Sequence, residues 1–177
     1  MQAAIRAYRI ALTYRTPEVH PTGCAATQNN LGTAYWHLAE CHKGDTATRQ
    51  EALQAAIAAY VAATDICQQL PAYTTLSFDR WSTHNNLGLA YYALAQEVLP
   101  AAVESGQGDK CDRLYLALHH HLKAWQGWQQ QPELQQTAVH FILETMRTLY
   151  DTCGINGQNR ALSQIPPELL PEILSKL

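Results

Sequence analysis

The sequence predicts an all-α protein, built as a solenoid of antiparallel helix pairs with about six or seven helices and no sheet. The first observation is a repeat: residues 25–35, which contain Asn-Asn-Leu-Gly, return 56 positions later as residues 81–91. Self-similarity at a fixed spacing is typical of stacked helical units. The second observation is that apolar residues recur three and four positions apart, while no segment alternates with a period of two. These patterns favour helices and predict no strand.

The predicted helices of the first half are bounded by proline, glycine and capping residues. They cover residues 2–14, residues 24–42, residues from about 48 to 69, and residues from a cap at Thr75 or Ser77 to about Leu99. Pro17 ends the first helix, because proline pushes the preceding residue out of the helical region. Gly44 is expected to be a left-handed C-cap of the second helix. The capping-box sequence Thr48-Arg49-Gln50-Glu51 is expected to start the third.

The second half continues the helical pattern. In order, we predict a kinked continuation over residues 101–104, a flexible stretch over 105–108, a helix from a cap at Asp109 or Asp112 to about Gln129, a helix over 133–152, a turn over 160–164, and a small helix from about 168 to 177. Gly154 is expected to end the helix over 133–152. Pro171 is compatible only with the first turn of the last helix.

A chain of 177 residues is expected to form one domain by default. We assign residues 1–154 to a helical repeat domain and residues 155–177 to a C-terminal capping segment. The repeat domain comprises a partial repeat (1–16), two repeats (22–70 and 75–130) and a terminal helix (132–154). The chain opens on a second-helix pattern with no first helix before it, which favours a piece of a longer multi-repeat or multidomain protein.

Two helix patterns carry a family resemblance. Leu31-Gly32 is followed by Tyr35, and the partner helix has alanine, tyrosine and alanine at positions 56, 60 and 63. The same partner pattern occurs at positions 4, 8 and 11, and more weakly at Ala117, His121 and Ala124. Over residues 1–130 the chain resembles the tetratricopeptide-repeat family, of the Asn-Asn-Leu-Gly type with long repeats found in kinesin light chains. A glycine costs about 1 kcal/mol inside a helix, so Gly32 is expected to allow close approach of the partner helix.

The resemblance implies a concave groove lined by one stripe of each first helix. The stripe contains Asn29, Asn30, Thr33, Trp36 and His37 in the first copy, and Asn85, Asn86, Leu89 and Tyr92 in the second. In the family, the second asparagine of each pair holds the backbone of an extended peptide, which here implies Asn30 and Asn86. The amide chemistry agrees, since asparagine offers both a donor and an acceptor, and aromatic residues such as Trp36 and Tyr92 are common in binding hot spots. In the alternative interpretation, the asparagines bond a neighbouring helix and the aromatic residues fill gaps.

Composition argues against several other functions. The net charge is −3 and no Lys/Arg cluster is present, which argues against a nucleic-acid partner. No apolar run of 18 residues and no N-terminal signal pattern occur, so no membrane association is expected. The five scattered cysteines, without a Cys-x-x-Cys pair, indicate reduced and mostly buried thiols in a cytoplasmic protein.

The candidate catalytic and metal motifs are weak. Residues His119, His120 and His121 point about 100° apart on a helix and do not converge on one ion, so we expect one packed and two solvated histidines. No nucleophile-elbow, zincin or phosphate-binding motif is present. Trp125 and Trp128 are expected to pack on one helix face, with ligand recognition as the alternative.

The sequence therefore predicts a non-catalytic module without cofactor or metal that binds a protein or peptide segment in the groove. A second hypothesis is a structural spacer that self-associates into a homo-oligomer through exposed terminal helices. The third is a metal-binding or enzymatic domain.

Overall fold

A computed structural model of the protein describes residues 1–97 and 106–177, with side chains in the second range from Asp109 onward. Within these ranges the regular structure consists of seven helices and no strand, which confirms the all-α prediction. The helices are α1 (Gln2–Leu12), α2 (Pro21–Cys41), α3 (Thr46–Gln69), α4 (Arg80–Gln96), α5 (Gly106–Gly127), α6 (Pro132–Leu162) and α7 (Leu170–Lys176). None of the described helices is long and apolar enough to cross a membrane.

The chain divides into two compact units, Met1–Ala90 and Tyr91–Leu177, and the boundary falls within α4. Each unit is centred on one helix hairpin: α2 with α3 in the first unit, and α5 with α6 in the second. The prediction of one domain is not tested by this division. The finer division at residues 154 and 155 stays a prediction.

The α2–α3 pair of the first unit is antiparallel. At one end, Cys24 and Ala25 of α2 form a buried apolar cluster with Ile66 and Cys67 of α3. In the middle, a methyl group on Gly32 would lie 2.6 Å from the Tyr60 ring. Since real Cβ atoms do not approach so closely, glycine is required here, and the expectation of close helix approach at Gly32 is confirmed.

Two aspartates, rather than the predicted hydroxyl residues, cap the next helices. Asp45 accepts a hydrogen bond from the Thr48 backbone N–H at 3.2 Å, so α3 begins at Thr46, two residues before the expected position. Asp79 accepts from the backbone N–H groups of Trp81 and Ser82 at the start of α4, where Thr75 or Ser77 was expected. The left-handed C-cap at Gly44 is also wrong, because among the described residues only Gly154 has a positive φ.

The α5–α6 pair of the second unit is antiparallel as well. The disulfide Cys111–Cys153 joins one end, with Cα atoms 6.2 Å apart. Halfway along, His121 stacks on Phe141 with ring centroids 5.3 Å apart. The predicted break at Gly154 is confirmed, since its φ of 67° and ψ of −168° are not helical and divide α6 at a kink. Trp125 and Trp128 are both buried, which agrees with packing, but Trp128 lies just beyond the end of α5 rather than on the same helix.

Several predicted bounds in the second half differ from the structure. Helix α5 already begins at Gly106, so residues 106–108 are helical and Asp109 and Asp112 lie inside the helix rather than capping it. Residues 155–162 extend α6 beyond the kink, where the sequence predicted a turn only. Pro171 occupies the first turn of α7, as expected. The end of the fourth predicted helix at Leu99 and the continuation over 101–104 lie outside the described residues.

The expectation of five reduced cysteines is wrong for one pair. Cys111 and Cys153 are bonded, although 42 positions separate them in the sequence. The other three are free: Cys24 and Cys67 are buried and Cys41 is exposed. Spacing alone could not reveal the pair, because it depends on how the α5–α6 hairpin aligns its two helices.

Burial of His121 makes the stability of the second unit depend on pH. The side chain is almost fully buried, and this burial lowers the pKa of His121 from its ordinary 6.5 to about 3. Below pH 6.5 the unfolded chain binds a proton that the folded chain excludes. The free energy of unfolding should therefore fall by about 1.4 kcal/mol per pH unit as pH drops from 6.5 towards 3.

The measurement is urea unfolding at several pH values, comparing the protein with His121→Gln. In the variant, the free energy of unfolding is expected not to show this fall with decreasing pH, whatever its value at pH 7. His140→Gln is the matched control, since the His140 side chain is 73% exposed. Equal slopes in the protein and in His121→Gln would contradict the assignment.

Candidate functional site

The predicted residues of α2 lie at a cleft between α1 and α2. The cleft has a volume of about 220 Å³ and brings Asn30, Thr33 and His37 together with Tyr8 of α1. Its remaining lining consists of Met1, Ala4 and Ala34, so no carboxylate, lysine or arginine lines it. Asn30 and His37 are exposed and Thr33 is half-buried. One turn of α2 separates Asn30 from Ala34, which places these side chains in a row along the cleft.

A hydrogen-bonded chain connects this row to α4. The Thr33 hydroxyl lies 3.2 Å from the Tyr60 hydroxyl, and the Asn86 side chain hydrogen-bonds the same Tyr60 hydroxyl. Tyr60 is only 1% exposed, and this burial raises its pKa despite the two hydrogen bonds that lower it. Asn86 is half-buried and thus still reaches the surface. The sequence-predicted residues Thr33 and Asn86 are therefore linked through one buried tyrosine, and Asn30 shares the cleft with Thr33.

The first asparagine of each pair is the less accessible member. Asn29 accepts a hydrogen bond from the Thr83 hydroxyl at 2.8 Å, which ties α2 to α4. Asn85 is buried, with 7% exposure. For Asn29, the structure supports the alternative interpretation in which an asparagine bonds a neighbouring helix. Asn30 and Asn86, one position further along each helix, are the more accessible members of the two pairs.

The remaining predicted residues are less closely associated with the cleft. Trp36 and Leu89 are half-buried. Tyr92 belongs to the second unit, where its hydroxyl donates to Glu144 at 3.3 Å and lies 3.0 Å from the Thr148 hydroxyl. Burial is the main cause of the raised pKa of Tyr92. These contacts give Tyr92 a structural role within its own unit.

Two tyrosines, Tyr8 and Tyr60, belong to the candidate site in addition to the predicted residues. Tyr8 lines the cleft and Tyr60 joins Thr33 to Asn86, whereas the sequence indicates both only as members of the second-helix pattern. The available signal was their identical position in that pattern, 52 residues apart. A tyrosine carries a hydroxyl that needs a partner when buried, which a phenylalanine at the same position would not.

The side chains that line the cleft are suited to hydrogen bonding. Amide, hydroxyl and imidazole groups line it, and these groups match both the N–H and the C=O of a peptide backbone. In the described ranges, no cluster of three His, Cys, Asp or Glu side chains is arranged to hold a metal ion. The histidine run divides as one buried residue, His121, one half-buried residue, His120, which stacks on Tyr91, and one exposed residue, His119. Searches of family models, curated proteins and solved structures found no match to the chain.

Proposed function

We propose that the protein is a non-catalytic interaction module of the tetratricopeptide-repeat type, which binds an extended peptide segment of another protein along Asn30, Thr33 and Asn86. The observation that carries the proposal is the exposed Asn30 amide at the cleft between α1 and α2. An exposed amide beside a hydroxyl and an imidazole supplies donors and acceptors without charge, which suits a peptide backbone. We also propose that the helix pairs stack as a solenoid, a form that presents extended binding surfaces.

The size of the cleft supports a peptide rather than a small molecule. Pockets for drug-sized ligands measure about 300–1,000 Å³, whereas this cleft measures about 220 Å³. Such a volume accepts one or two side chains of a segment whose backbone continues over the surface. The half-buried Asn86, which bonds the same Tyr60 hydroxyl as Thr33, offers a second point of contact for that segment.

The Asn30 side chain is expected to contribute about 1–2 kcal/mol to peptide binding, which corresponds to an affinity loss of about tenfold in Asn30→Ala. The probe is a library of random 12-residue peptides displayed on phage, selected on the immobilised full chain and followed by titration of the enriched peptides. Asn30→Ala should not affect folding, because the Asn30 side chain is exposed.

Asn156→Ala is the matched control, since Asn156 is exposed in the second unit. The comparison is valid if both variants have the same unfolding temperature as the unaltered chain. If the enriched peptides bind Asn30→Ala and Asn156→Ala as tightly as the unaltered chain, Asn30 is not part of the peptide site.

The free cysteines and the disulfide give opposite indications of the cellular compartment. We propose the cytoplasm on the basis of the three free thiols of Cys24, Cys41 and Cys67. The Cys111–Cys153 bond counts against this location, because disulfides are rare where glutathione and thioredoxin keep thiols reduced. Alkylation of free thiols in intact cells, followed by mass spectrometry, distinguishes a reducing compartment, in which Cys111 and Cys153 are alkylated, from an oxidising one, in which they are not.

A further inference from the structure

A cavity of about 330 Å³ lies in the second unit, between helix α5 and the residues that follow α6. The lining from α5 occupies one face of the helix, at spacings of three and four residues, and consists of His119, Leu122, Lys123 and Gln126. Gln164, two residues beyond α6, completes the lining. The four polar side chains are exposed, so a ligand can reach them from solvent. None of these lining residues carries a carboxylate.

The part of α6 after the kink holds Gln164 beside α5. The Tyr115 hydroxyl of α5 donates to the Gly157 carbonyl at 3.2 Å, and the Arg160 guanidinium lies 4.3 Å from the centre of the Tyr115 ring. Tyr115 precedes His119 by about one helical turn, and Arg160 precedes Gln164 by four residues. The two elements are therefore in contact next to the cavity, and Arg160 adds a positive charge about one turn from it.

Lys123 places a positive charge at the cavity that is not balanced by a neighbouring carboxylate. The ion pairs of the described residues involve neither Lys123 nor Arg160. His119 is exposed, yet partial loss of hydration lowers its pKa, and the positive charge of Lys123 lowers this pKa further. The neighbouring His120 ring, 5.2 Å from that of His119, stacks on Tyr91 and supplies no negative charge. An anion bound between His119 and Lys123 would interact favourably with both.

The number and type of donors at the cavity indicate a phosphate group. A phosphate monoester carries a charge of about −1.5 to −2 at pH 7 and three strong acceptor oxygens. Lys123 and a protonated His119 match this charge, and the Gln126 and Gln164 amides offer N–H donors. A carboxylate carries a single charge on two oxygens, so it would use fewer of these groups. Leu122 provides an apolar contact for the carbon chain of the ester.

We propose that this cavity binds the phosphate group of a phosphate monoester, with Lys123 and His119 as the cationic groups and Gln126 and Gln164 as hydrogen-bond donors. The monoester is either a small phosphorylated molecule or a phosphorylated serine of another protein, and both present the same group to the cavity. The site lies in the second unit, whereas the proposed peptide cleft lies in the first. The two proposals can therefore fail independently.

The test uses the full chain, labelled for nuclear magnetic resonance, and three probes: methyl phosphate, a short glycine peptide with one central phosphoserine, and acetate. The imidazole resonance of His119, assigned with His119→Gln, should shift saturably with the phosphate probes at concentrations at which acetate has little effect. The His140 resonance should not shift, since His140 is 73% exposed and lies outside the cavity. Tighter binding of methyl phosphate indicates a small molecule as the ligand, and tighter binding of the peptide indicates a phosphorylated protein.

Lys123→Gln should weaken phosphate binding about tenfold, because a charge-assisted hydrogen bond is lost. Lys110→Gln is the matched control, since it makes the same charge change on the same helix and Lys110 does not line the cavity. Without any ligand, Lys123→Gln should also raise the pKa of His119, because the positive charge that lowers this pKa is gone. Asn30→Ala should affect neither measurement, which separates this cavity from the proposed peptide cleft.

Three results would overturn the proposal. One is the absence of a saturable shift of the His119 resonance with either phosphate probe. Another is binding of acetate as tight as that of the phosphate probes. The third is equal affinity of Lys123→Gln and Lys110→Gln for the phosphate probes, because the charge at the cavity would then play no part in binding.

Discussion

Gly32→Ala is expected to lower the free energy of unfolding by about 1–3 kcal/mol, although alanine favours helices over glycine by about 1 kcal/mol. The added methyl group would lie 2.6 Å from the Tyr60 ring. The ring has little freedom to move, because Tyr60 is 1% exposed and its hydroxyl is bonded on two sides, by Thr33 and Asn86. Relief of the clash must therefore come from separation of α2 and α3. Urea unfolding followed by circular dichroism measures the loss.

Gly44→Ala is the matched control for this substitution. Gly44 has no neighbouring atom within 4 Å of an added methyl group and no positive φ, so alanine should be neutral or stabilise by about 0.5 kcal/mol. Adding Tyr60→Leu to Gly32→Ala should recover part of the loss, since the coupling arises from the ring. A Gly32→Ala protein as stable as the original would show that the two helices do not depend on this close contact.

Replacing both bonded cysteines, as Cys111→Ser with Cys153→Ser, should lower the free energy of unfolding of the second unit by about 2–4 kcal/mol. The bond closes a loop across 42 positions and so restricts the unfolded chain considerably. In the folded state it holds together the ends of α5 and α6, next to the kink at Gly154. Thermal unfolding in the absence and presence of dithiothreitol measures the effect.

The double variant and the reduced protein should unfold at similar temperatures, and the reductant should not affect the variant. Cys41→Ser is the control, because Cys41 is a free and exposed cysteine. Detection of five free thiols in protein purified without reductant would rule out the bond.

The sequence predicted local structure correctly at positions where a glycine has one physical explanation. Gly32 predicted close helix approach and Gly154 predicted a break, and both have clear counterparts in the structure. Apolar residues three and four positions apart correctly predicted helices, because this spacing matches the period of a helix and not that of a strand. By contrast, Asp45 and Asp79 cap helices where Thr48, Thr75 and Ser77 had been expected. The choice among neighbouring cap candidates depends on local backbone geometry, which residue types alone do not determine.

The sequence could not determine which asparagine of the first pair is exposed at the cleft. Asn29 and Asn30 are chemically identical neighbours whose side chains point about 100° apart on a helix. The rotation of α2 against its neighbours turns Asn29 towards Thr83 and leaves Asn30 exposed at the cleft. Packing of several helices sets that rotation, so the sequence could not assign the two roles. The same holds for Tyr92, whose partners Glu144 and Thr148 lie 52 and 56 positions away.

The Tyr60 hydroxyl gives the first unit a built-in trade-off. It bonds Thr33 and Asn86, so the amide that the proposed peptide would engage also satisfies a tyrosine in the core. A ligand that draws Asn86 away must leave that hydroxyl with Thr33 alone. Stronger peptide binding at Asn86 is thus opposed by the packing of α3. Variants selected for higher peptide affinity at this position are expected to have lower unfolding temperatures.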